Sequence, residues 1–125
     1  MKILLCEDDS NIAIIARMTL EQIGSHQVTW VSDGAMALEE GLKAAHDLIL
    51  LDDMMPKMSG VEVCRAYVKS QKKLPPVIFL SANPQQQKVE EFKPVAIGYI
   101  PKPFDPMALN QLIETMMKST FQQAV

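Results

Sequence analysis

The sequence predicts an α/β fold in which five parallel strands form a doubly wound sheet with helices on both faces. Short apolar runs alternate with longer amphipathic ones along the chain, which is the pattern of repeated strand and helix units. Of the 125 residues, 48% are hydrophobic and 22% are charged, a composition typical of a globular domain with its own core. We therefore expect a single domain over residues 1–125.

Five apolar runs are short enough to be buried strands. They cover residues 3–6, 28–31, 48–51, 77–80 and 96–100. Right-handed crossovers between such strands place helices on both faces, and sheets of this kind bind ligands beyond the carboxyl ends of their strands. The residues that follow each strand are therefore the first place to look for function.

The amphipathic runs between the strands predict five helices. Four of them have residues at helical spacing that we expect to face the core. These residues are Ile12, Ile15, Thr19 and Ile23; Ala37, Leu38, Leu42 and Ala45; Val61, Cys64, Ala66 and Val68; and Leu109, Leu112, Ile113, Met116 and Met117. The last helix begins with Asp105 as N-cap and Pro106 at its first position. The fourth helix offers only Val89 and Phe92 as sizeable apolar residues, so it should be short and loosely held.

The bulk chemistry argues against several classes of function. A formal net charge of -3 disfavours a nucleic-acid-binding surface, and the lysines at positions 69, 72 and 73 are typical of a solvated helix end. Cys6 and Cys64 fall in apolar runs, which predicts buried free thiols rather than a disulfide or a zinc site. Because the apolar runs are too short for a signal peptide or a membrane span, we expect a cytoplasmic protein with no membrane or direct nucleic-acid partner.

Acidic side chains follow the first and third predicted strands. Glu7, Asp8 and Asp9 come after the first strand, and Asp52 and Asp53 come after the third. Because the carboxyl ends of parallel strands share one edge of the sheet, both groups converge there, and packed carboxylates repel one another unless a cation lies between them. Mg²⁺ is the natural occupant, since it needs only a few carboxylates and keeps some of its waters.

The fourth and fifth strands bring a hydroxyl and an ammonium group to the same edge. Ser81 follows the fourth strand, and its hydroxyl can donate to a phosphoryl oxygen. Lys102 follows the fifth, and Pro103 after it can form a cis peptide bond that aims the lysine. Taken singly these are an ordinary turn serine and an ordinary surface lysine. Together with the carboxylates they predict a site for Mg²⁺ and a transferable phosphoryl group, with a carboxylate as the nucleophile.

Four segments of the chain, taken in order, resemble the receiver domain of two-component response regulators. They are ILLCEDD at residues 3–9, LLDDMMPKMSG at 50–60, FLSA at 79–82 and GYIPKPF at 98–104. The resemblance covers essentially the whole chain, and it implies a flavodoxin-like fold with strand order 2-1-3-4-5. It also implies a signalling domain that assists its own phosphorylation and dephosphorylation, not a turnover enzyme acting on an external substrate.

The resemblance also implies roles for individual residues. The family's phosphoacceptor is the aspartate four residues before the motif proline, and that offset from Pro56 selects Asp52. The family's acidic pair corresponds to Asp8 and Asp9. These two residues are then Mg²⁺ ligands, together with Asp52 and the backbone carbonyl of Met54.

The remaining family positions correspond to Ser81 and Lys102 and to the switch aromatic Tyr99, for which plain core packing is the alternative role. The implied mechanism is in-line attack by Asp52 on a phosphohistidine of a sensor histidine kinase or phosphotransfer protein, followed by Mg²⁺-assisted hydrolysis. The new charge draws Ser81 toward the phosphoryl group and Tyr99 into the vacated space, which switches a protein-binding surface. That surface would serve an output protein, a fused effector domain or a phosphorylation-dependent homodimer.

Two features depart from the family pattern. Asp53 stands where the family is usually apolar, and strand alternation points it away from Asp52. We therefore expect Asp53 to be solvated or paired rather than to be a rival phosphoacceptor. The span from Ser81 to Lys102 is about one residue short, with Pro94 where a helix would normally continue, so the fourth helix should be short or irregular.

Three other interpretations are open. A phosphatase of the haloacid-dehalogenase kind also uses a strand-end aspartate and Mg²⁺, but it needs a second acid where Met54 stands. A flavin or nucleotide carrier would need a glycine-rich phosphate loop after the first strand, where Asp8, Asp9 and Ser10 stand. The third is a degenerate receiver that acts only as a protein-interaction module, although every position that the chemistry requires is filled.

Overall fold

The computed structural model describes residues 1–82, 86–93 and 95–123, and over these residues it has the predicted α/β architecture. Five parallel strands form one sheet in the order β2-β1-β3-β4-β5, which confirms the predicted strand order. The strands are β1 (Lys2–Cys6), β2 (Gln27–Val31), β3 (Leu48–Asp52), β4 (Val77–Ser81) and β5 (Ala96–Pro101). The helices are α1 (Ser10–Met18), which continues into a π-helical segment at Thr19–Ile23, α2 (Gly34–Lys43), α3 (Gly60–Ser70), α4 (Gln86–Glu91) and α5 (Pro106–Gln123).

The sheet is buried between two apolar layers, which explains why its central strands are apolar on both faces. One layer packs β1, β3 and β4 against α2, α3 and α4, and the other packs the opposite faces of these strands against α1 and α5. Side chains alternate between the layers, so that Leu51 and Phe79 lie in the first while Leu50 and Leu80 lie in the second. The same alternation places Asp52, at the end of β3, and Ser81, at the end of β4, on opposite faces of the sheet.

The buried face of α1 differs from the sequence prediction. Ala13, Ala16 and Leu20 are buried, whereas Ile15 and Ile23 are 47% and 60% exposed. The two alanines let the helix lie close to the sheet, and the π-helical segment changes the helical phase toward its end. Helical spacing alone could not choose between these two overlapping apolar faces. Three further positions predicted to face the core are also exposed: Val68, Leu112 and Ala45, which lies beyond the end of α2.

The fourth helix is short, as predicted, since α4 spans six residues. Val89 and the following Phe92 are buried and anchor this segment to the layer that contains α3. Arg65 of α3 adds a second link, because its Nη2 lies 3.6 Å from Glu91 Oε1 and its guanidinium lies 5.8 Å from the ring centre of Phe92. The expectation that Pro94 interrupts this helix concerns a residue outside the described part of the chain.

Two smaller sequence predictions, the start of α5 and the state of the cysteines, are also borne out. The Asp105 carboxylate accepts a hydrogen bond of 2.9 Å from the Met107 N–H, and Pro106 is the first residue of α5. Cys6 and Cys64 are buried free thiols. Among the described residues, the helices are all too short or too polar to cross a membrane.

Candidate functional site

Three carboxylates come together at the carboxyl ends of β1 and β3. Each of Glu7, Asp8 and Asp52 offers one carboxylate oxygen, and these oxygens all lie within 4.8 Å of one another. The cause is the sheet itself: β1 and β3 are adjacent and Cys6 pairs with Leu51, so the residues that follow them are neighbours. Glu7 and Asp52 are buried and Asp8 is exposed, so the group opens to solvent on one side.

Lys102 reaches this acidic group from the end of β5, two strands away from β3. Its Nζ lies 2.5 Å from Glu7 Oε1 and 3.2 Å from Asp52 Oδ1. The backbone beneath it is held by a hydrogen bond of 2.8 Å from the Lys102 N–H to the Ser81 carbonyl, and the following peptide bond to Pro103 is cis. The ammonium group therefore lies beside the two buried carboxylates, as the sequence predicted for the edge of the sheet.

The electrostatics of the site favour a bound cation. Burial, together with the neighbouring Glu7 and Asp8 carboxylates, raises the pKa of Asp52 to about 8, and the hydrogen bond from the Met54 N–H only partly offsets this. Burial alone would lower the pKa of Lys102, but its hydrogen bond to Glu7 and the charge of Asp52 raise it above its usual value. Three carboxylates facing one ammonium leave an excess of negative charge.

The donor set fits Mg²⁺. All three side-chain donors are carboxylate oxygens, the ligands that hard divalent cations prefer, and the solvent-exposed side of Asp8 leaves room for the waters that Mg²⁺ retains. A divalent charge would also offset the repulsion that raises the pKa of Asp52.

Asp9 is not part of this acidic group, which corrects the pairing of Asp8 with Asp9. The Asp9 carboxylate caps α1 instead, since its Oδ1 accepts hydrogen bonds from the N–H groups of Asn11 at 2.9 Å and Ile12 at 3.4 Å. Glu7 takes the place predicted for Asp9. The available sequence signal was the position of Asp9 directly before the first turn of a helix, which favours a capping role for its carboxylate.

The loop after β3 holds Asp52 by backbone contacts. The Met54 N–H donates to Asp52 Oδ1 at 3.2 Å, while the predicted ligand role of the Met54 carbonyl stays a prediction. The loop turns through Lys57, whose φ of 70° is left-handed, and returns to α3 at Gly60. A Cβ at Gly60 would lie 2.3 Å from the Asp52 carbonyl oxygen, so only glycine allows this close approach.

Ser81 lies at the same edge of the sheet, where it bonds to the residue that follows Asp52. Its hydroxyl donates to Asp53 Oδ2 at 3.0 Å, and both residues are buried. Of the two predicted alternatives for Asp53, solvated or paired, the structure shows the second, and the pair is buried. Tyr99 is half-buried and packs against the layer that contains Phe79, on the face of β4 to which Ser81 also belongs by alternation.

Comparisons with known proteins find similar sequences and similar structures. A family model described as "Response regulator receiver domain" matches residues 3–114. The transcriptional regulatory protein ResD of Bacillus subtilis (strain 168) is 35% identical over 122 residues, which are 97% of this chain and 50% of ResD, so the chain spans about half of that relative.

Solved structures are similar over nearly the whole chain. The chemotaxis response regulator CheY4 of Vibrio cholerae is 30% identical with a TM-score of 0.81, and the alignment covers 92% of this chain and 97% of that one. The response regulator TrrA of Thermotoga maritima, solved in complex with Mg(2+)-BeF, is 26% identical with a TM-score of 0.78 and the same two coverages.

Proposed function

This chain belongs to the response regulator receiver domain family of two-component systems, and we propose that Asp52 accepts a phosphoryl group beside a bound Mg²⁺ to switch a protein-binding surface. One observation carries the proposal. The carboxylates of Glu7, Asp8 and Asp52 converge at one edge of the sheet, and the Lys102 ammonium lies 3.2 Å from Asp52. This is the charge arrangement that a carboxylate nucleophile and a phosphoryl group require.

The proposed reaction is transfer from a phosphohistidine. A carboxylate oxygen of Asp52 attacks the phosphorus as the P–N bond breaks, and the electron pair of that bond returns to the histidine ring. The product is an acyl phosphate on Asp52. Lys102 would pair with a phosphoryl oxygen, because its ammonium group already lies within ion-pair distance of Asp52 Oδ1.

The proposed Mg²⁺ ligands are Glu7, Asp8, Asp52 and the backbone carbonyl of Met54. Glu7 replaces Asp9 in this set because the Asp9 carboxylate is used as the cap of α1. Bound there, Mg²⁺ would neutralise charge on the phosphoryl oxygens during transfer.

The proposed switch uses Ser81 and Tyr99. The Ser81 hydroxyl would donate to a phosphoryl oxygen on Asp52, and Tyr99 would move into the space that Ser81 leaves. Support comes from their placement, since both residues lie on neighbouring strands and on the same face of the sheet. The two side-chain packings would present different surfaces to a partner.

The proposed partners are those of a phosphorelay. A sensor histidine kinase or phosphotransfer protein would supply the phosphoryl group, and an output protein or a fused effector domain would respond to it. The coverage of only half of ResD is compatible with either form of output. A phosphorylation-dependent homodimer is a further proposed partner, and we assign this chain itself the role of one receiver domain over residues 1–125.

Intact-mass measurement tests the proposal. The parent, Asp52→Asn and Asp53→Asn are incubated with acetyl phosphate, with and without Mg²⁺. We expect one added phosphoryl group in the parent and in Asp53→Asn only when Mg²⁺ is present, and none in Asp52→Asn. Label that persists in Asp52→Asn would refute the assignment, and an unlabelled parent would favour a degenerate receiver that acts only by binding.

A further inference from the structure

The hydrogen bond between the buried side chains of Ser81 and Asp53 has no role in the chemistry described so far. The Ser81 side chain is fully buried and that of Asp53 is nearly so, and the hydroxyl donates to Asp53 Oδ2 at 3.0 Å. Asp53 follows Asp52 directly, but strand alternation directs the two carboxylates to opposite faces of the sheet. The hydroxyl needed at the phosphoryl group is therefore bonded to the neighbouring carboxylate on the other face.

The backbones on both sides of this hydrogen bond are held in place. The Asp53 N–H donates to the Leu80 carbonyl at 3.3 Å, and the Asp53 carbonyl accepts from the Gly60 N–H at 3.0 Å. The Ser81 carbonyl accepts from the Lys102 N–H at 2.8 Å. Because both backbones are anchored, the Ser81 hydroxyl changes partner chiefly by rotation about its Cα–Cβ bond, and that rotation breaks its hydrogen bond to Asp53.

We propose that Asp53 is a positioning residue that holds the Ser81 hydroxyl on the Tyr99 face of the sheet and so opposes its recruitment to a phosphoryl group on Asp52. The inference rests on the proposed function of Asp52. A hydrogen bond to a buried carboxylate is stronger than one between neutral groups, so exchanging it for a bond to the phosphoryl group recovers less free energy. Asp53 thereby sets how strongly phosphorylation favours the switched conformation.

A double-mutant cycle tests this role. The probe is beryllofluoride with Mg²⁺, a phosphoryl mimic, added to the parent, Asp53→Asn, Asp53→Leu, Ser81→Ala and the Asp53→Asn/Ser81→Ala double variant. Binding is followed by the fluorescence of the single tryptophan, Trp30, whose Nε1 donates to the backbone carbonyl of Glu7 at 2.8 Å. Asp52→Asn serves as the non-binding control.

We expect tighter binding when the restraint is removed. Asp53→Leu, which has no acceptor, should bind about tenfold more tightly than the parent, which corresponds to one lost charge-assisted hydrogen bond. Asp53→Asn keeps a neutral acceptor of the same shape and should gain less. In the Ser81→Ala background the Asp53→Asn substitution should change binding less than about twofold, since the hydroxyl that Asp53 restrains is gone.

The cycle separates this role from simple charge repulsion. An equal gain with and without the Ser81 hydroxyl would mean that Asp53 only repels the anion, and it would overturn the inference, as would weaker binding by Asp53→Asn in the parent background. If Asp53→Leu does not fold, as judged by near-ultraviolet circular dichroism, the isosteric Asp53→Asn carries the test. A parent that binds no beryllofluoride and takes up no label would reject the proposed function as well, whereas a binding parent with no coupling rejects this inference alone.

A second readout needs neither Mg²⁺ nor a phosphoryl mimic. Urea denaturation is carried out on four metal-free proteins: the parent, Asp53→Asn, Ser81→Ala and the double variant. It measures the coupling free energy between the two side chains in the unphosphorylated fold. We expect a favourable coupling, so that the double variant is less destabilised than the two single variants together. Additive changes would show that the hydrogen bond holds nothing in place and would overturn the inference.

Discussion

The two faces of the sheet at the carboxyl end of β3 compensate a buried carboxylate in different ways. On one side Asp52 joins Glu7 and Asp8, and within the described part of the chain these three carboxylates face one ammonium group, that of Lys102. On the other side Asp53 has a matched neutral donor in the Ser81 hydroxyl. The first arrangement leaves a raised pKa at Asp52 and an excess of negative charge, which is suited to binding a cation and a phosphoryl group. The second is satisfied and is suited to holding a side chain in place.

Removing the ammonium group should have the largest effect on the reactive side. Lys102→Met leaves the phosphoryl transfer without its counter-charge, so the rate of labelling by acetyl phosphate should fall roughly 100- to 1,000-fold. Lys118→Met is the matched control, because Lys118 is exposed on α5 and should leave the rate unchanged. A Lys102→Met rate within about threefold of the parent would contradict the role of this group.

Removing single carboxylates should separate metal ligands from their neighbours. Glu7→Gln and Asp8→Asn should each weaken Mg²⁺ binding by roughly 10- to 100-fold, because each deletes one charged oxygen donor. Asp9→Asn should leave the affinity within about twofold, since asparagine is an equally good helix cap. Titration followed by Trp30 fluorescence measures all three, and a large loss in Asp9→Asn with none in Glu7→Gln would restore the original pairing of Asp8 with Asp9.

The raised pKa of Asp52 predicts a pH dependence of stability in the metal-free protein. The folded state retains a proton on Asp52 up to a pH of about 8, whereas the unfolded chain releases it near 3.8, so the parent should lose stability as the pH rises between these values. Asp52→Asn mimics the protonated form and should be more stable than the parent by about 1–2 kcal/mol above pH 8, with little difference near pH 5. Urea denaturation as a function of pH, in the presence of a chelator, measures this difference in stability. A parent that gained stability as the pH rose would contradict the raised pKa of Asp52.

The smallest effect should come from the helix cap. Asp9→Ala removes the acceptor for two N–H groups at the start of α1 and should lower the free energy of unfolding by about 1 kcal/mol. Asp9→Asn retains the acceptor and should lie within a few tenths of the parent value. If Asp9→Ala reduced the free energy of Mg²⁺ binding by more than it reduced the free energy of unfolding, Asp9 would belong with the acidic group.

Much of the fold followed from local patterns in the sequence. The five apolar runs became the five strands, and a short fourth helix followed from the scarcity of apolar residues around Val89 and Phe92. Helix faces were harder to predict. On α1 two overlapping apolar stripes were available, and the sheet selected the one with alanines because they permit the closer approach.

The sequence by itself determined which residues stand at the ends of the strands, because a strand ends where its apolar run meets polar residues. It thereby brought Asp52, Ser81 and Lys102 to one edge. Only the tertiary structure decided which of these groups touch. Adjacent strands join residues that are far apart in sequence, so Glu7 rather than Asp9 lies beside Asp52. Alternation along β3 directs the side chain of Asp53 toward Ser81. Pairings of this kind depend on sheet register and side-chain direction, which no local pattern specifies.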